Sequence, residues 1–145
     1  MRLAQQARQA SLALSSLSAP QRSRALMVAA HSLVRQRRMI IAASASDVAR
    51  ARGKVSPAFL DRLALNEERF HEMVSAVKNI ARQKDPLGHI IERKKIKNGV
   101  TLKKITVPIG VLFVIYEARP HVTADAAALA ATRRGQRCRS RQSVV

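Results

Sequence analysis

Residues 111–116 read Val-Leu-Phe-Val-Ile-Tyr, six consecutive apolar or aromatic side chains with no charge among them. Successive side chains of a strand point to opposite faces, so this run has no face to give to water. It predicts a strand covered on both sides, as in a parallel sheet with helices above and below. Pro108-Ile109-Gly110 turns the chain into it, and Glu117-Ala118-Arg119-Pro120 turns the chain out. Thr123 and Asp125 then lead into an alanine-rich helix. Strand, tight turn and small-residue helix predict the first half of a doubly wound α/β unit.

Upstream the period is helical. Leu3, Ala7, Ala10, Leu14 and Leu17 predict a helix over 2–17. Ser18 as cap and Pro20 in the first turn open a second helix, with Leu26, Ala29, Leu33 and Val34 as its buried stripe. Met39, Ile40 and Ile41 carry the apolar face toward Ala43. A further short helix is expected to start near Ser46-Asp47 and to end at Gly53. Ser56-Pro57 opens a helix with Phe59, Leu60 and Leu63 inward. Asn66-Glu67-Glu68 opens the clearest one, striped by Phe70, Met73, Val74, Val77 and Ile80.

Asp85-Pro86-Leu87-Gly88 ends the helical region, and the period changes. Segments 89–97 and 100–107 are β-prone and are joined by Asn98-Gly99, a strong hairpin signal. Lys94, Lys95, Lys97, Lys103 and Lys104 stud both arms, as suits an exposed ribbon.

The formal net charge is +18, from 27 Lys+Arg against 9 Asp+Glu in 145 residues. Such an excess raises a nucleic-acid-binding protein as one reading and an interaction module as another. Only Phe59, Phe70, Phe113 and Tyr116 are aromatic, too few for a base-stacking surface, and no reading motif accompanies the charge. A basic surface also suits a small anionic substrate or a phosphorylated cofactor. His31, His71, His89 and His121 stand alone in sequence and Cys138 is the single cysteine, so neither a disulfide within the chain nor a metal site is expected. No run is long enough to cross a membrane, and the cytoplasm is the expected compartment.

Several segments in colinear order resemble γ-glutamyl phosphate reductase (glutamate-5-semialdehyde dehydrogenase), of the aldehyde dehydrogenase superfamily. They are LSAPQRSRALMVAA (17–30), AASASDVARARG (42–53), FLDRLALNEERF (59–70), DPLGH (85–89) and VPIGVLFVIYEARPHVTADAAALA (107–130). The resemblance implies an α/β fold: N-terminal helices, a β-hairpin at 89–107 and the first strand-helix unit of a doubly wound domain, truncated. It implies NADPH-dependent reduction of γ-glutamyl phosphate to glutamate-5-semialdehyde in proline biosynthesis, by a homo-oligomer whose subunits meet through such a ribbon. By the same resemblance, Tyr116, Glu117, Ala118 and Pro120 would lie near the NADP(H) nicotinamide. Arg119 would pair with a substrate phosphate or carboxylate; a turn-stabilising ion pair with Glu117 is the other reading. The family's nucleophilic cysteine lies downstream, so no catalytic residue is assigned within 1–145, and this chain alone is expected to be inactive.

The resemblance covers 2–130 and stops. Segment 131–145, ATRRGQRCRSRQSVV, has five arginines, no acid and no apolar periodicity; without it the chain keeps 22 basic against 9 acidic groups, or +13. The family continues with a segment like xKSGNAVILRGG. Permissible codons for GQRCRSRQSV (135–144), read one nucleotide later, give GNAVVLGKA. We therefore expect a frameshift near Ala131, a non-family tail without fixed structure, and an incidental Cys138. Sequencing the gene should expose a displaced GNAVxL; an intact frame without one would sink this expectation.

Overall fold

The computed structural model describes residues 2–96 and 99–132, and 137–143 as backbone only. Six helices come in the order α1 (Arg2–Ser16), α2 (Ala19–Arg35), α3 (Arg37–Ala51), α4 (Pro57–Leu63), α5 (Glu67–Arg82) and α6 (Pro120–Thr132). Between α5 and α6 run β1 (Ile90–Lys95) and β2 (Thr101–Val107), and β3 (Arg137–Ser143) follows α6. The three strands form one antiparallel sheet in the order β1-β2-β3.

The helix starts are written in side chains. Asn66 Oδ1 accepts from Arg69 N at 2.8 Å and so caps α5, whose first turn also holds Glu67 and Glu68 against the positive end of the dipole. Ser56 Oγ accepts from Phe59 N at 3.3 Å ahead of Pro57. At α2 the partner is Gln21, whose Oε1 accepts from Ser18 N at 2.8 Å. Gly53 follows α3 at φ +78°, a conformation that glycine adopts without a Cβ penalty.

Burial centres on α5. Phe70, Met73, Val74, Val77 and Ala81 are buried there and meet Leu26 and Ala30 of α2, Leu65 and Ala128 of α6. The expected stripe holds, except that Ala81 and not Ile80 closes it. On α2 the buried positions are Arg22, Leu26 and Ala30: of the expected Leu26, Ala29, Leu33 and Val34, Leu26 is buried and Leu33 packs half-buried on the core, whereas Ala30 takes the place of Ala29 and Val34 is exposed. The shift has a polar cause: Arg22 turns inward to the Asp85 carboxylate and the Leu17 carbonyl, and Ser23 Oγ donates to Ala81 O at 2.5 Å. α1 buries none of its residues, and Leu3 is 82% exposed.

Two expected boundaries move. α3 is one continuous helix through Ser46-Asp47, because no glycine or proline interrupts 37–51 and Asp47 pairs with Arg50 one turn on. α6 begins at Pro120, where a missing N–H costs nothing, instead of after Thr123. Ser44 is buried where α3 meets the α4–α5 loop; its Oγ accepts from Leu65 N at 3.0 Å and donates to Leu63 O at 3.3 Å. Arg37 on α3 meets Glu67 on α5; that hydrogen bond and the opposite charge push the guanidinium pKa up from its ordinary value.

The hairpin forms as expected, with Lys95 opposite Thr101 and Arg93 opposite Lys103. Gly99 takes φ +77° in its turn, while Lys97 and Asn98 lie outside the described residues. Thr106, buried at 6% exposure, fastens the ribbon to the break: its Oγ1 donates to Pro86 O at 2.6 Å and accepts from His89 N at 3.0 Å. Ala131 and Thr132 continue α6, and Arg137–Ser143 pairs with β2 along its length, Lys103 opposite Arg141 and Thr106 opposite Cys138. The outer edge of β2 offers unpaired backbone groups, which is reason enough for a nearby segment to join.

The largest correction concerns 111–116, which is not a strand of the described sheet. The run is apolar enough for a buried strand, but strands need ladder partners and none among the described residues pairs with it. With α1 outside the core and 111–116 uncovered, cooperativity rests on one small cluster. Phe70→Ala should cost about 3–5 kcal/mol, a large share of the roughly 5–15 kcal/mol that holds a whole domain. Thermal melting followed by circular dichroism should be broad for the parent chain and collapse to no transition for this variant; a sharp transition in either would refute the reading.

Candidate functional site

Three residues, Glu117, Ala118 and Arg119, separate the apolar run from α6. Ala118 sits among them at φ +46°, the one non-glycine with positive φ among the described residues. This left-handed conformation brings Cβ against the following carbonyl, so it persists only where neighbours hold it. Two hydrogen bonds do so. Tyr116 Oη and Thr123 Oγ1 lie 2.5 Å apart, tying the end of the run to the first turn of α6. Val122 N donates to Arg119 O at 3.0 Å and closes the turn from the other side.

The five residues expected at a site are thus contiguous on one bend. Tyr116, Glu117 and Arg119 are exposed, and Ala118 and Pro120 are half-buried. Of the two readings of Arg119, the ion pair is not formed: neither Glu117 nor Arg119 has a charged partner among the described residues. A guanidinium free of internal partners keeps all five N–H donors for an outside anion. The local reason is geometric, since the left-handed Ala118 between them parts the two side chains that an extended strand would place two apart on one face.

Behind the bend, α6 leans on α5 and encloses a polar cleft of about 220 Å³ lined by Arg69, Glu72, Met73, Ala76, His121 and Asp125. Arg69 is already committed: Nη2 donates to both Asp61 carboxylate oxygens at 3.0 Å, and Nη1 donates to Ala64 O at 3.0 Å. Asp125 is not, and its buried Oδ1 has no hydrogen-bond partner. On the opposite flank of α6 lies an apolar groove of about 640 Å³, bordered by Leu26, Leu33, Ile40, Leu65, Met73 and Val77 and by the alanine face of α6.

Sequence reasoning missed Thr123 as the residue that holds Tyr116, and missed Asp125 as a half-buried carboxylate with one enclosed oxygen. The spacing of seven between Tyr116 and Thr123 carried the signal, since a turn of three residues brings the end of the run and the first turn of α6 together. Among the described residues no group of three His, Cys, Asp or Glu could hold a metal ion, and no helix is long and apolar enough to cross a membrane. Cys138 is placed on β3 opposite Thr106; its side chain lies outside the described atoms.

No family model matches the chain. Curated proteins similar to it include γ-glutamyl phosphate reductases. That of Carboxydothermus hydrogenoformans is 41% identical over 130 residues, 89% of this chain and 31% of the relative. That of Zymomonas mobilis is 45% identical over 128 residues, 88% of this chain and 30% of the relative. Among solved structures, the γ-glutamyl phosphate reductase of Saccharomyces cerevisiae superimposes with a TM-score of 0.82 at 31% identity, covering 91% of this chain and 34% of that one. The Thermotoga maritima enzyme gives 0.81 at 34% identity, covering 89% and 31%. The chain therefore spans about a third of the length of these relatives, and the match lies in their N-terminal part.

The strain at Ala118 is testable. Ala118→Gly should leave the bend intact, whereas Ala118→Val should cost about 1–3 kcal/mol locally, because a β-branched side chain tolerates positive φ poorly. Limited proteolysis should cut the valine variant faster between Tyr116 and Pro120; equal rates for all three chains would refute the assignment.

Proposed function

We propose, from the premise that this chain is similar in sequence and fold to the N-terminal part of γ-glutamyl phosphate reductase, that it carries one wall of that enzyme's site. The reaction is reduction of γ-glutamyl phosphate to glutamate-5-semialdehyde in proline biosynthesis, and NADPH, when bound, supplies the hydride. The observation that carries the reading is the unpartnered guanidinium of Arg119 on a bend fixed by Tyr116 and Thr123.

Within this wall the roles divide by chemistry. Arg119 offers paired N–H donors to the phosphate or carboxylate of a small dianionic substrate, a charge-assisted contact about twice as strong as a neutral one. Ala118 and Pro120 keep the bend small and stiff, so a planar ring could approach the backbone of 116–118. Glu117, free of Arg119, can accept hydrogen bonds from an amide or hydroxyl of the cofactor. These residues fit the edge of a nicotinamide site and leave the adenosine end unsupplied. The nucleophilic thiol is also outside 1–130, so turnover requires the length of the relatives that this chain does not span. The expected setting is the cytoplasm, with subunits assembled through the ribbon.

Two measurements test the proposal. The chain alone should show no NADPH- or phosphate-dependent turnover of glutamate-5-semialdehyde above background. Residues 2–130, grafted in place of the matching part of the Zymomonas mobilis relative, should support turnover. In that graft Arg119→Ala should lower kcat/KM by about 10–150-fold, the effect of a lost charged hydrogen bond. An inactive but folded graft, or an Arg119→Ala graft with unchanged kcat/KM, would overturn the assignment.

A further inference from the structure

α6 carries two threonines, and their hydroxyls behave differently. Thr132 Oγ1 donates to the carbonyls of Ala128 at 3.3 Å and Leu129 at 3.1 Å, the local bonds that a threonine within a helix makes. Thr123 has the same option, since Arg119 stands four residues before it. Its Oγ1 instead meets Tyr116 Oη across the bend at 2.5 Å, and the Arg119 carbonyl is left to Val122 N at 3.0 Å. Thr123 is exposed and Tyr116 is 44% exposed, so water could serve either hydroxyl. The contact therefore answers to the path of the chain and not to the need of a buried polar group.

Arg119 lies between the two residues so tied. Among the described residues, no other side-chain hydrogen bond spans 117–119. Ala118, at φ +46°, gives the bend its direction, and a backbone in that region holds only where its surroundings fix it. The guanidinium is carried on this backbone without an internal partner of its own. Where it points is thus set by the bend, and the bend is set by the two hydroxyls.

We propose that Thr123 is a positioning residue for the reaction: through Tyr116 it holds the bend so that the Arg119 guanidinium meets the substrate oxyanion at the angle a paired contact needs. The inference rests on the functional reading above and adds a residue that acts through Arg119 without touching the substrate. What matters at position 123 is the hydroxyl and not the shape. Valine keeps the branched form and loses the oxygen, whereas serine keeps the oxygen and loses the methyl.

The test uses the Zymomonas mobilis graft carrying residues 2–130, with each variant made both with and without Arg119→Ala. Thr123→Val should lower kcat/KM by about 3–10-fold, the effect of one lost hydrogen bond, divided between KM and kcat as in Arg119→Ala. Thr123→Ser should stay within about two-fold of the parent, because it keeps the donor and the acceptor. Tyr116→Phe combined with Thr123→Val should lose no more than either alone, since both remove the same contact. In the Arg119→Ala background Thr123→Val should cause no further loss. In the full chain by itself, Thr123→Val should speed limited proteolysis between Tyr116 and Pro120 while keeping the parent circular dichroism, as an exposed position allows. Unchanged kcat/KM or unchanged proteolysis for Thr123→Val, or a loss in Thr123→Ser as large as in Thr123→Val, would overturn the proposal. The same loss with and without Arg119 would overturn it too, and would make the Thr123 hydroxyl a direct contact of the substrate. These results leave the functional reading standing wherever Arg119→Ala still lowers kcat/KM. An Arg119→Ala graft with unchanged kcat/KM, or a folded graft without turnover, would instead remove that reading and this inference with it.

Discussion

α5 presents its stripe in two directions at once, with α2 lying along one side and α6 along the other. Met73 and Val77 face both the α2 side chains and the alanine face of α6 in the same groove. The position of α6, and with it the Tyr116–Pro120 bend, therefore depends on a handful of apolar contacts and not on the sheet. Polar fasteners trim the arrangement without replacing it: Arg22 to Asp85, Ser23 to Ala81 and Arg69 to Asp61 join the ends of elements that the stripe has already brought together. Hydrogen bonds of this kind, part-buried or exposed, fix register and angle while contributing little net energy.

The helices were legible because their signals are local. Asn66, Ser56, Gly53 and the Phe70–Val77 spacing act within a turn or two of themselves, and each behaves as the sequence implies. The hairpin was legible for the same reason, its turn and lysine pattern being contained in nineteen residues (89–107). The inward turn of Arg22 on α2 was not, because it answers to Asp85, 63 positions away, while Leu26 lies buried as its spacing implies. The continuity of α3 was misjudged where a weak cap signal at Ser46-Asp47 competed with an unbroken helical context.

The 111–116 run is the instructive failure. Composition says that it is made for burial, and that inference describes the segment correctly. Whether it becomes a strand is decided by neighbours, and no property of six residues can provide them. The site shares this fate: Tyr116 to Pro120 were identifiable as a unit by resemblance, yet the freedom of Arg119 depends on the positive φ of Ala118, which alanine does not advertise. Thr123 could be picked out only once the turn between strand and helix was drawn in three dimensions.

The ribbon and the helices answer to salt through different pairs. Arg93 stands opposite Lys103, so one pair of like charges faces across the ribbon, beside the opposite-charge pair of Glu92 and Lys104. Facing like charges oppose pairing, and counterions relieve that opposition. The helical end carries the reverse arrangement, exposed attractions such as Arg37–Glu67 and Asp47–Arg50 that counterions weaken. Ionic strength thus reaches both ends of the chain in opposite senses, relieving Arg93 against Lys103 while loosening Arg37–Glu67 and Asp47–Arg50, each by the small amount that exposed charges carry.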